Sequence, residues 1–123
     1  REVSALTKCE LKEITIVEPS VTANETKNIS ITATSACKSY HGCIIKNVDT
    51  SVKTPLWMVE KLRRSGVNSI SILVDVTNYV MLLTGQPMHA FDFDKVSGDI
   101  NVRFAKDGEQ LTLLDSTEVK LEF

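Results

Sequence analysis

The chain has 123 residues, 42% hydrophobic and 24% charged, with a formal net charge of −2. That length suits one domain with a modest core. The slight acidic excess argues against a free-standing nucleic-acid binder, which normally carries a basic surplus, though not against a domain handling RNA that a partner holds. No apolar run reaches the ~18 residues of a membrane span. The first ten residues, REVSALTKCE, lack the layout of a signal peptide. They also lack a starting Met, so the chain is expected to be a piece of something longer. Cys9, Cys37 and Cys43 are odd in number and irregularly spaced, a poor disulfide framework that points to a reducing, cytoplasmic setting.

Val3, Leu6 and Cys9 recur at threes, which predicts the tail of a helix over residues 2 to 10. ITIVEPSV (14 to 21) reads as a strand ended at Pro19, followed by the polar loop TANETKN. ISITAT (29 to 34) alternates apolar and hydroxyl residues and predicts a half-buried strand. YHGCIIKNVD (40 to 49) predicts a third, centred on Cys43, Ile44 and Ile45.

TPLWMVEKLRRSG (54 to 66) carries helix punctuation: Thr54 to cap, Pro55 at the first helical position and Gly66 to close. Pro55, Met58, Val59 and Leu62 form an apolar stripe, with Glu60, Lys61, Arg63 and Arg64 outward and Glu60 four residues before Arg64. SISILVDVTNYVMLLTG (69 to 85) alternates like a strand at its start, but its 17 residues and its Thr84-Gly85 ending favour a helix. Such a helix is apolar nearly all round and is expected to be buried. Its one polar stripe, Ser71, Asp75 and Asn78, then needs hydrogen-bond partners. DINVRFA (99 to 105) reads as a strand, KDGE (106 to 109) as a hairpin turn, QLTLL (110 to 114) as the return strand, DSTE (115 to 118) as a second turn and VKLEF (119 to 123) as a further strand. The order β, β, β, α, α, β, β, β implies an α+β class with an antiparallel-rich sheet system and two central helices.

Candidate chemistry is sparse. Cys37, His41 and Cys43 stand as C-x3-H-x-C, without the paired ligands of a structural zinc site, so they are read as buried thiols on a strand and no metal is expected. Lys61, Arg63 and Arg64 read as a solvated helix face or, less simply, as a phosphate contact. Asp75 and Asn78 are either structural hydrogen-bonders or supports for a site; an Asn amide both donates and accepts, which suits positioning a carbonyl or a water. His89 lies in GQPMHAFD (85 to 92), where the helical pattern stops. It is either a satisfied structural residue or a group that orients a water, relays a proton or bonds a ribose hydroxyl. There is no Gly-rich phosphate loop, no Walker or Rossmann pattern and no nucleophile motif. The residues by themselves lead to an α+β domain with a polar site near Asn78 and His89.

VDVTNYV (74 to 80), GQPMHAFD (85 to 92) and LTLLD (111 to 115), in this order and spacing, resemble the B3/B4 editing region of the bacterial phenylalanyl-tRNA synthetase β subunit. The similarity covers roughly residues 36 to 122, with residues 1 to 35 as a variable lead-in helix and strands, all within one partial domain. The resemblance implies a layered B3/B4-like α+β fold, incomplete at the C-terminus. It implies a parent ligase of α2β2 form, whose α subunit charges tRNA(Phe) with phenylalanine using ATP and magnesium. No cofactor is expected on this segment and no membrane as partner.

The editing module of such enzymes hydrolyses mischarged tyrosyl-tRNA(Phe). By position, His89 matches the editing-site histidine, near the terminal ribose, and is the expected catalytic residue. Asn78, Gln86, Pro87, Met88 and Ala90 match residues that line or shape the pocket for the aminoacyl end of the tRNA. The family's downstream Gly-rich segment with a Glu has no equivalent before Phe123, and Lys38-Ser39 stands where the family has Pro-Arg. The segment alone is therefore expected to be inactive. The alternative is a non-catalytic tRNA-positioning or subunit-scaffold module in which editing has decayed.

Overall fold

The computed structural model describes residues 2–12, 15–113 and 116–121. In chain order it forms helix α1 (Glu2–Thr7), strand β1 (Ile29–Ile31), helices α2 (Leu56–Arg64) and α3 (Ile72–Thr84), a 3-10 turn (Phe93–Lys95), and strands β2 (Ile100–Val102), β3 (Gln110–Thr112) and β4 (Glu118–Lys120). The class is α+β, with the two longer helices grouped between strands.

Among the described residues the sheet pairings are one parallel and one antiparallel. β1 runs parallel to β2, with Ile29, Ser30 and Ile31 opposite Ile100, Asn101 and Val102. The main-chain N–H groups of Thr32 and Ala33 both donate to the Val102 carbonyl, at 2.8 and 3.1 Å, and close this ladder. β3 runs antiparallel to β4, with Leu111 opposite Val119. The 106–109 turn is present: Glu109 N–H donates to the Lys106 carbonyl at 3.0 Å, and Gly108 has φ +74°. The strands on either side of it do not pair with each other; each has another partner. The hairpin expected there is thus replaced by two separate pairs, because a turn reverses the chain without choosing its ladder.

Two expected strands are absent as strands. Residues 15–21 and 40–49 are irregular. An apolar run becomes a strand only where another segment supplies ladder partners. Parts of other expectations, at Ile14, Leu114, Asp115, Glu122 and Phe123, lie outside the described residues.

α2 begins one residue later than its punctuation suggests. Pro55, with φ −57° and ψ 139°, holds the cap position, and its carbonyl accepts from Met58 N–H at 2.9 Å and Val59 N–H at 3.1 Å. Thr54 does not cap, because Pro55 holds the cap position; its hydroxyl donates to the Asp75 carboxylate. The helix ends in a Schellman arrangement: Val67 N–H bonds the Leu62 carbonyl at 3.0 Å, Gly66 N–H bonds that of Arg63 at 3.1 Å, and Gly66 takes φ +79°.

The core sits where α2 meets α3. Met58 and Leu62, four residues apart on the α2 stripe, are buried there. Trp57 meets Tyr79 edge-on, ring centroids 5.4 Å apart. Ala33, beside the β1–β2 pair, is also buried. The expectation of a buried α3 is corrected: Leu73, Val74, Val76, Met81, Leu82 and Leu83 all keep a third to a half of their surface exposed. A helix with one helical neighbour can bury only one stripe, however apolar its other faces are. The cysteines are likewise neither buried nor on a strand: Cys9 and Cys43 are exposed and Cys37 is half-buried. Among the described residues no helix is long and apolar enough to cross a membrane.

Candidate functional site

α3 carries Asn78 and leads into the segment with the other candidate residues, so what fixes α3 matters first. Ser71 is its N-terminal cap residue, extended at φ −157°, and its carbonyl accepts from Asp75 N–H at 2.8 Å. Its hydroxyl makes no capping bond. Asp75, in the first turn, is completely buried, the one buried charged side chain among the described residues. Its carboxylate accepts from the Thr54 hydroxyl, from the Ser69 hydroxyl at 2.6 Å and from the Ile70 main-chain N–H at 2.9 Å.

Burial pushes the Asp75 pKa up, but the hydrogen bonds from Ser69, Thr54 and the Ile70 and Ser71 main chain outweigh it, and the carboxyl titrates below its ordinary range. A negative charge in the first turn also complements the positive end of the helix dipole. Of the polar stripe expected to need partners, Asp75 finds them here. Thr54 and Ser69 as those partners were not read from the sequence. The available signal was a carboxylate inside an apolar helix with hydroxyl residues at the starts of both helices.

Asn78 lies one turn further along α3 and is half-buried. At the far end Gly85 takes the left-handed conformation, φ +78°, and donates its N–H to the Met81 carbonyl at 2.8 Å. Gln86 N–H then bonds the Thr84 hydroxyl at 3.2 Å. These contacts turn the chain out of the helix, and Gln86, Pro87, Met88, His89 and Ala90 follow as one exposed segment. The His89 ring faces Phe91, centroids 6.1 Å apart. Asp92 closes the segment by accepting from Asp94 N–H at 3.3 Å. The five loop residues are thus together, while Asn78 is tied to them through the helix rather than by a hydrogen bond.

Two open cavities lie elsewhere. One of about 370 Å3 is bordered by Thr54, Val59 and Ser69 to Ile72, beside the Asp75 cluster. The other, about 330 Å3, is floored by Leu82 and Leu83 with Lys61, Arg64, Ser65 and Tyr79 around it.

The basic edge of α2 is largely self-satisfied. Arg63 takes Glu60 in a two-bond pair at 3.0 and 3.2 Å, and Arg64 lies 3.8 Å from the same carboxylate. Lys61 lies over both the Trp57 and Tyr79 rings, at 5.4 and 5.3 Å, and donates to the Tyr79 hydroxyl at 3.3 Å. That aromatic–cation cluster was not anticipated either. Its signal was a Trp and a Lys four apart on one helix. Among the described residues no three His, Cys, Asp or Glu side chains form a group able to hold a metal ion.

Residues 36–123 match the model of the B3/4 domain family. The chain is 70% identical over 122 residues to the phenylalanine–tRNA ligase β subunit of Francisella tularensis, covering 99% of this chain and 15% of that protein. It is 52% identical over 122 residues to that of Colwellia psychrerythraea and 50% identical over 121 to that of Aliivibrio fischeri, again covering 15% of each. The chain spans about 15% of the length of the curated relatives it matches. With most of its length inside the family match, and α3 and the His89 segment within it, the chain belongs to the B3/4 domain family.

Proposed function

We propose that the chain is a segment of a phenylalanine–tRNA ligase β subunit and forms one wall of a site that hydrolyses tyrosyl-tRNA(Phe). The observation that carries this reading is the exposed Gln86–Ala90 segment, turned out of α3 at Gly85, in a chain so similar to ligase β subunits. The need for such a site is physical. A pocket that accepts phenylalanine rejects an analogue with one added hydroxyl only weakly, so a second, hydrolytic site supplies the missing selectivity. In that reaction water adds to the ester carbonyl, and the bond from that carbon to the ribose oxygen breaks, releasing tyrosine and free tRNA.

His89 is the catalytic candidate: an imidazole in this segment can hold the attacking water or bond the terminal ribose hydroxyl. Asn78 and the residues flanking His89 would receive the aminoacyl end. The α subunit, ATP and magnesium serve synthesis in the parent. The scaffold alternative draws support from the exposed apolar surface of α3. One measurement separates the two. In the intact ligase, His89→Ala should slow hydrolysis of tyrosyl-tRNA(Phe) about 100-fold or more and let tyrosyl-tRNA accumulate. Unchanged hydrolysis would remove the catalytic role and leave the scaffold reading.

A further inference from the structure

Three separate stretches of chain converge on one carboxylate. Thr54 comes from the entrance to α2, Ser69 and Ile70 from the α2–α3 connection, and Asp75 from the first turn of α3. We infer that Asp75 is a positioning residue: by fixing the rotation of α3 against α2, it sets where Asn78 and the Gly85 exit, and hence His89, stand. This rests on the editing reading given above.

The geometry carries the inference in two steps. Rotation about the helix axis is the freedom that apolar packing controls least, because the surface of α3 is apolar on almost every face and its van der Waals contacts are non-directional. Hydrogen bonds to a buried charge are directional and strong, and here three donors enter from outside the helix. Asn78 follows Asp75 by three residues, so it lies roughly 60° round the same helix. Its tip is about 5–6 Å from the axis, and a turn of ~10° displaces it by about 1 Å. A displacement of that size costs about 100-fold in a reaction that depends on placement. At the far end, the bonds from Gly85 to Met81 and from Gln86 to Thr84 pass the setting of α3 to the segment holding His89.

The test uses the intact ligase with two variants at Thr54. Thr54→Val keeps the shape and deletes the donor; Thr54→Ser keeps the donor. Thr54→Val should lower kcat for tyrosyl-tRNA(Phe) hydrolysis at least tenfold, with KM within twofold, and Thr54→Ser should restore most of it. A Thr54→Val enzyme that melts lower but hydrolyses at the parental kcat overturns the inference, since the cluster then only stabilises. Equal losses in both variants overturn it too. Hydrogen exchange at the Gly85 and Gln86 amides is read in parallel, and it does not depend on activity. Faster exchange in Thr54→Val than in Thr54→Ser is expected. If His89→Ala leaves hydrolysis intact, the editing reading fails, and the exchange result alone decides the positioning claim: equal exchange in the two variants overturns it.

Discussion

Replacing Asp75 with Ala removes the acceptor of the half-buried Thr54 hydroxyl, the exposed Ser69 hydroxyl and the Ile70 N–H. A hydrogen bond to a charged group contributes about 1.5–3 kcal/mol, and water can partly replace the lost acceptor at these donors, so Asp75→Ala should lose about 1–3 kcal/mol in urea unfolding. A loss under about 0.5 kcal/mol would mean that water replaces the carboxylate at almost no cost. The same carboxylate makes stability depend on acid. Its folded pKa lies below the unfolded value, so its contribution is complete above about pH 4 and drains away as pH falls through the folded pKa. Asp75→Asn should therefore be less stable at neutral pH and decline less steeply below about pH 4. An unchanged acid slope would refute this.

Glu109, half-buried, offers a second titration. Two hydrogen bonds from Arg103, at 2.6 and 2.8 Å, lead the causes that hold its pKa down at about 2, with the Lys106 N–H adding to them. Arg103→Ala should move Glu109 most of the way back towards its ordinary value, read by carbon NMR of the side-chain carboxyl. A Glu109 that still titrates near 2 in the variant would assign the shift to the turn's own backbone.

At the scale of elements, α2 was the most legible part of the chain, because its signals are local. Pro55, the Met58–Leu62 stripe and Gly66 each act within a turn or two of their own position. Leu62, completely buried, should cost about 2–5 kcal/mol as Ala; a smaller loss by thermal or urea unfolding would show that the α2–α3 seam collapses around the gap. Gly85 was legible for the same local reason. A Cβ there would meet open space, so Gly85→Ala should cost only the left-handed backbone strain, about 1–2 kcal/mol.

What failed to show was non-local. The run around Cys43 has the composition of a strand, yet only a partner ladder would make it one. The Asp107-Gly108 turn was readable, but not that β2 would pair with β1, some seventy residues away. The candidate site divides in the same way. The exit of His89 from a helix end could be read from Gly85 and Pro87. The tie between Thr54 and Asp75, 21 residues apart, could not, since nothing in the local pattern says which hydroxyl a buried carboxylate will capture.

For the molecule as a whole, the balance of buried and exposed apolar surface is what governs behaviour in solution. Among the described residues the buried apolar side chains are Ala33, Met58 and Leu62, while Trp57, Phe91, Leu82 and Leu83 each keep over two-fifths of their surface in contact with water. Both sheets are two-stranded pairs, which are marginal by themselves and leave open edges. A net charge of −2 provides little mutual repulsion between copies. Residues 1–123 prepared alone should therefore bind a hydrophobic dye such as ANS and associate as concentration rises. Leu83 sits in the last turn of α3, half exposed, so a charge there disturbs little packing. Leu83→Glu adds charge of the sign the chain already carries and removes apolar surface from the same face. It should reduce dye binding and move association to higher concentration by light scattering, with little change in helix content by circular dichroism. A parental segment that stays monomeric and dark to the dye would show that this face is covered in solution by the chain's own irregular stretches.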